Sequence, residues 1–120
     1  MDKLVFIVDD TESILIAGAS ILENDFRVLT MSSAEKMFSL LAKKSPDLII
    51  LDIEMPGMSG LEALAKLRDD PNWKDTPVLL LTGHIDENVI NKGAELGACE
   101  VIHKTDMKDK LLERVKECLE

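Results

Sequence analysis

No apolar run in this 120-residue chain approaches the ~20 residues needed to span a bilayer, and the N-terminus lacks a charged-then-apolar secretory pattern. A soluble, cytoplasmic protein without membrane insertion is expected. Basic charge is also short: residues 1–60 carry 5 basic and 10 acidic side chains, residues 61–120 carry 9 and 13, and the net charge is −9. Neither half has the electrostatic grip that nucleic acid or anionic lipid demands, so direct nucleic-acid binding is excluded. Cysteine is limited to Cys99 and Cys118, whose spacing suits no metal. Two cysteines in an intracellular-looking chain are expected as buried thiols rather than a bridge. No repeat, low-complexity tract or linker divides the chain, and its length suits a single domain over residues 1–120.

What is present is an alternation. Short runs rich in Val, Ile and Leu alternate with longer stretches of helical period, the pattern of βαβ units that build a parallel sheet. Strands are predicted near 3–8, 26–30, 47–51, 77–82 and 98–103. Fully apolar centres such as Leu48-Ile49-Ile50-Leu51 imply strands covered on both faces, whereas the mixed run Phe26-Arg27-Val28-Leu29-Thr30 suits a sheet edge. Helices are predicted near 12–24, 34–44, 60–69, 86–96 and 107–119. The first carries Ile14, Ala17, Gly18, Ile21 and Leu22 on one stripe, and the last carries Leu111, Leu112, Val115 and Leu119, with Thr105 or Asp106 as its N-cap.

Polar residues close four of the apolar runs: Asp9 and Asp10 after the first, Asp52 after Leu51, Thr82 after Leu81, and Lys104 after His103. In an open α/β sheet these strand ends share one edge, where such folds keep their sites. Right-handed crossovers bring the first and third strands together, so three carboxylates meet there and require a cation. An all-oxygen donor set suits Mg2+. With the ion bound, Asp52 can act as nucleophile toward phosphorus, Lys104 can pair with phosphoryl oxygens, and the Thr82 hydroxyl can turn toward them. Gly83 keeps the approach open.

The motifs Val8-Asp9-Asp10, Asp52-Ile53-Glu54-Met55-Pro56-Gly57-Met58-Ser59-Gly60, Leu81-Thr82-Gly83, Gly97-Ala98 and His103-Lys104 together resemble the response-regulator receiver family across essentially the whole chain. The resemblance implies a flavodoxin-like, doubly wound (βα)5 fold with a five-stranded parallel sheet of order 2-1-3-4-5. It implies Mg2+ held by Asp9, Asp10, Asp52 and the main-chain carbonyl of Glu54, with Asp52 as phospho-acceptor, Thr82 as switch hydroxyl and Lys104 as phosphate-pairing lysine. The implied donor is a histidine kinase or histidine-phosphotransfer protein, and the output partner is not specified. Such a chain would be a monomer or a phosphorylation-dependent dimer, and would catalyse only its own phosphorylation and dephosphorylation.

Three departures from the family pattern stand out. Val101 replaces the usual aromatic three residues before the lysine, so the switch needs another readout, such as the loop after Thr82 or the fourth helix. Thr105 replaces the usual proline after Lys104, and a trans bond is expected because a non-proline cis bond costs ~2.5–4 kcal/mol. Glu54 and His84 lie two residues after Asp52 and Thr82, positions expected to set phosphoryl lifetime.

Blander readings exist for each residue alone. Asp10 could merely cap a helix, Thr82 could be an ordinary strand residue, and His103 is read as lying at the helix-covered margin rather than in the chemistry. The order of all five at strand ends is what favours a site. Leu15, Ile16 and Ala19 widen the apolar sector of the first helix; a partly buried face would account for them, whereas the resemblance implies a docking surface for a kinase or histidine-phosphotransfer helix. Asn88, Asn91 and Lys92 on the fourth helix are weaker candidates for an output face. A Mg2+-dependent phosphohydrolase is disfavoured because no Asp follows two residues after Asp52 and no cap domain is present. A nucleotide or flavin binder lacks its Gly-rich loop. A phosphorylation-independent module is the remaining rival.

Overall fold

The computed structural model describes residues 3–120. In chain order the elements are β1 (Leu4–Val8), α1 (Glu12–Leu22), β2 (Arg27–Met31), α2 (Ala34–Leu41), β3 (Leu48–Asp52), α3 (Gly60–Asp69), β4 (Val78–Thr82), α4 (Glu87–Glu95), β5 (Glu100–His103) and α5 (Met107–Cys118). All pairings are parallel and the order is β2-β1-β3-β4-β5, as expected from the sequence.

Strand pleating divides the core in two. Leu4, Phe6, Val8, Ile49, Leu51, Val78 and Leu80 face one side, where Met37, Leu41, Leu64 and Leu67 from α2 and α3 cover them. Val5, Ile7, Leu48, Ile50, Leu79, Leu81 and Ile102 face the other, under Leu22 of α1 and Leu111 and Val115 of α5. β1, β3 and β4 are buried throughout, which is why their sequences read as unbroken apolar runs instead of alternating ones. The mixed β2 sits at the edge, as its composition implies.

Helix starts follow local chemistry. The Ser33 hydroxyl accepts from the Lys36 amide, Asp86 accepts from the Val89 amide, and Ser59 with Glu62 forms a reciprocal capping box at α3. Two details differ from expectation. Ala17 on α1 is exposed, and the contact with the core runs through Ile14, Leu15, Gly18, Ile21 and Leu22, so the buried stripe is rotated toward Leu15. At α5, Asp106 stands at the N-cap without a side-chain bond; instead a short 3-10 turn, Lys104–Asp106, leads in, and His103 Nδ1 accepts from the Thr105 amide at 3.1 Å.

The cysteine expectation is overturned. Cys99 and Cys118 form a disulfide, their Cα atoms 6.0 Å apart. Cys99 is exposed and Cys118 half-buried, so neither is a buried thiol. α5 returns antiparallel to β5, and its last residue therefore lands beside the entry to that strand. Sequence spacing of 19 residues carries no trace of this meeting.

Candidate functional site

The C-terminal ends of β1, β3, β4 and β5 converge on one edge, and their closing residues form the site. Asp9, immediately after β1, and Asp52, the last residue of β3, are wholly buried, while Asp10 is exposed. One carboxylate oxygen from each of the three lies within 4.8 Å of the others. Asp9 Oδ1 accepts from the Thr11 amide at 2.8 Å and Asp52 Oδ1 from the Glu54 amide at 3.2 Å. Of the other oxygens, Asp52 Oδ2 is buried without a partner, and Asp9 Oδ2 is buried with only the Lys104 ammonium near it.

Lys104 reaches into this cluster from the end of β5. Its Nζ lies 3.1 Å from Asp9 Oδ2 and 3.2 Å from Asp52 Oδ1. Burial draws the ammonium pKa down, but the two carboxylates outweigh it and hold it above its ordinary value. Asp52 is pushed from an ordinary 3.8 up to about 7, first by burial and then by the Asp9 charge; Lys104 and the Glu54 amide only partly oppose this. One ammonium cannot balance three clustered carboxylates. The orphaned Asp52 Oδ2 and the all-oxygen donor set fit a hard divalent cation such as Mg2+.

Two glycines shape the turn after β3. Gly57 adopts φ +75°, a conformation most side chains avoid. Gly60 donates to the Ile53 carbonyl at 2.9 Å, and a Cβ there would collide with the Asp52 carbonyl. The motif places α3 directly against the backbone of the proposed nucleophile.

Thr82 closes β4 and is wholly buried. Its hydroxyl lies 2.6 Å from Glu54 Oε2 and 2.9 Å from the His84 carbonyl, and accepts from the His84 amide at 3.0 Å. Glu54 Oε1 accepts from the Gly83 amide at 3.1 Å. The sequence singled out Glu54 as an extra charge near the site; it did not show that this charge grips the β4 loop. The His84 side chain is exposed, 3.6 Å from Asp86. Val101 is half-buried against the α2–α4 face of the core. The peptide bond after Lys104 is trans, as expected.

Arg68, which the sequence did not mark, donates to the carbonyls of Leu96, Trp73, Lys74, Thr76 and Gly97. It ties together the loops that lead into β4 and β5. Its cue in sequence was only a cation in the last turn of a helix.

A family model described as "Response regulator receiver domain" matches residues 5–116. The hydrogenase transcriptional regulatory protein HoxA of Cupriavidus necator is 32% identical over 117 residues, covering 97% of this chain and 24% of that protein. The response regulator PleD of Caulobacter vibrioides is 31% identical, covering 87% of this chain and 23% of its own length. The chain thus spans about a quarter of these relatives. Among solved structures, the chemotaxis protein CheY4 of Vibrio cholerae superposes with a TM-score of 0.92 at 28% identity, covering 99% of this chain and 100% of that one.

Proposed function

Since the chain belongs to the response regulator receiver domain family of two-component signalling, we propose that Asp52 is its phospho-acceptor, in a Mg2+-dependent reaction with a phosphohistidine donor. The observation that carries this is the buried Asp52 carboxylate, with one oxygen tied to Lys104 and the Glu54 amide and the other uncommitted. Asp9, Asp10, Asp52 and the Glu54 main-chain carbonyl would hold the Mg2+, which when bound neutralises carboxylate charge and polarises the phosphoryl group.

Asp52 must be ionised to attack. Its raised pKa leaves a large protonated share near neutral pH, and the Lys104 ammonium, with the Mg2+ that would bind there, favours the anion. A lone pair of the carboxylate forms the O–P bond while the P–N bond to the donor imidazole breaks, its electrons leaving with that ring. Lys104 remains against the oxygens as charge moves onto them. Thr82 then supplies its hydroxyl to a phosphoryl oxygen and draws the β4 loop inward, shifting the population toward the signalling state. Val101 cannot perform an aromatic swing, so the readout passes through the Gly83–Asp86 loop and α4. The chain catalyses only its own phosphorylation and its loss, with Glu54 and His84 setting the lifetime. Glu54→Asn and His84→Ala should each change the dephosphorylation rate.

Receiver domains work with histidine kinases and output domains. Here the donor, a kinase or histidine-phosphotransfer helix, would dock on α1, where Ile16 is 62% exposed and Leu15 and Ala19 flank it. Ile16→Asp and Leu15→Asp should slow transfer from the protein donor. A cytoplasmic setting suits this chemistry.

Intact-mass measurement after incubation with a small phosphodonor and Mg2+ tests the acceptor. Wild type should gain one phosphoryl group, and Asp52→Asn or omission of metal should abolish the gain. Absence of any gain, with no Mg2+ binding, would favour a phosphorylation-independent module.

A further inference from the structure

We infer that the Glu54 side chain is a resting-state competitor of the phosphoryl group, holding the two donors that an acyl phosphate on Asp52 would recruit. The inference rests on the receiver reading of Asp52 and adds a role for Glu54 distinct from its main-chain carbonyl and from any effect on hydrolysis. Its two carboxylate oxygens divide the work: Oε2 takes the Thr82 hydroxyl at 2.6 Å and Oε1 the Gly83 amide at 3.1 Å. A hydroxyl has one proton and an amide one N–H. While either is given to Glu54, it is withheld from a phosphoryl oxygen.

Burial makes the competition strict. Thr82 is wholly buried, so its hydroxyl has no exit to bulk water and chooses among Glu54, the His84 carbonyl and whatever forms on Asp52. Glu54 is exposed and can swing into solvent once outcompeted, so release carries little desolvation cost. The contact at 2.6 Å is a charge-assisted bond of the short, strong kind. A phosphoryl group, with up to two negative charges shared over three oxygens, is the stronger acceptor and also repels the carboxylate, so its arrival ejects Glu54 and frees the loop from β3. The Glu54 contact joins the turn after β3 to the loop after β4, and its loss marks the switched state. Glu54 acts through Thr82 and is a positioning residue.

Beryllofluoride in the presence of Mg2+ serves as the phosphoryl mimic, and nitrogen-15 NMR of the full chain reads both the affinity and the Gly83 amide. Before the mimic is added, Glu54→Ala should move the Gly83 amide resonance while leaving those of the β1 and β3 core in place. Glu54→Ala should tighten beryllofluoride binding about tenfold, the scale of one charge-assisted hydrogen bond, and Glu54→Gln by less. In a Thr82→Ala background the same Glu54→Ala change should tighten binding threefold or less, as only the Gly83 contact remains. Unchanged or weaker binding by Glu54→Ala would overturn the inference, as would equal tightening with and without the Thr82 hydroxyl, which would assign the effect to bulk repulsion. Failure of wild type and every variant to bind the mimic would instead bring down the receiver reading of Asp52, and the competitor with it.

Discussion

Asp52→Asn should make the metal-free protein more stable at pH 8, although it deletes an ion-pair partner. The carboxyl is ordinarily at 3.8 and here at about 7, raised by burial and by Asp9. At ~1.4 kcal/mol per pH unit, ionised Asp52 costs the fold about 4 kcal/mol above pH 7. Asn removes that charge but leaves an amide beside Lys104, a penalty of about 1–3 kcal/mol for imperfect hydrogen bonding. A net gain of about 2 kcal/mol follows, roughly 5–10 °C in midpoint for a domain of this size. The folded-state pKa lies above the unfolded one, so the native protein holds its proton more tightly between about pH 4 and 7. Wild-type stability from this group is fully present below about pH 4 and is lost as pH rises through about 7. The difference between variant and wild type should therefore change by about 4 kcal/mol across that window, from about 2 kcal/mol in favour of the variant at pH 8 to about 2 kcal/mol in favour of wild type at pH 4. Urea titrations of both proteins at pH 4, 6 and 8 with chelator present measure it. Millimolar Mg2+ at pH 8 should then stabilise wild type and not Asp52→Asn, narrowing the gap by mass action. Equal stability at pH 8, or a gap of the same sign and size at pH 4 and 8, would refute the account of a charge-frustrated apo site.

Three other outcomes follow from the geometry. Reducing the Cys99–Cys118 bridge, or Cys118→Ser, should lower stability by about 3 kcal/mol, as expected for a bridge between residues 19 apart, seen as a lower urea midpoint. Gly60→Ala should destabilise by about 3 kcal/mol and slow phosphorylation, because its Cβ would meet the backbone of Asp52 and Ile53 rather than a pliant side chain; parallel melts and mass-based phosphorylation rates report both effects. Arg68→Ala should cost about 2 kcal/mol and raise amide exchange around residues 73–76 and 96–97, since five carbonyls lose a charged donor.

The apolar runs by themselves determined the five strands, their parallel pairing and the edge position of β2, because strands buried on both faces must be apolar without interruption and an edge strand need not be. They also determined which residues gather: Asp9, Asp10, Asp52, Thr82 and Lys104 each follow or end a strand, and parallel strands deliver those ends to one side. Helix phase was less legible. Ile14, Leu15, Ala17 and Gly18 admit two overlapping stripes, and packing against Ile7 and the α5 face chose the one that exposes Ala17. Three features belonged to the tertiary structure alone. The Cys99–Cys118 bridge arises where an antiparallel helix returns to the start of its own strand, the Arg68 bonds join loops up to 29 residues away, and Glu54 meets Thr82 across 28 residues of chain. In each case the partners are brought together by the paths of loops and helix ends. Local pattern governs which way a side chain faces, and only the packed chain decides what it meets there.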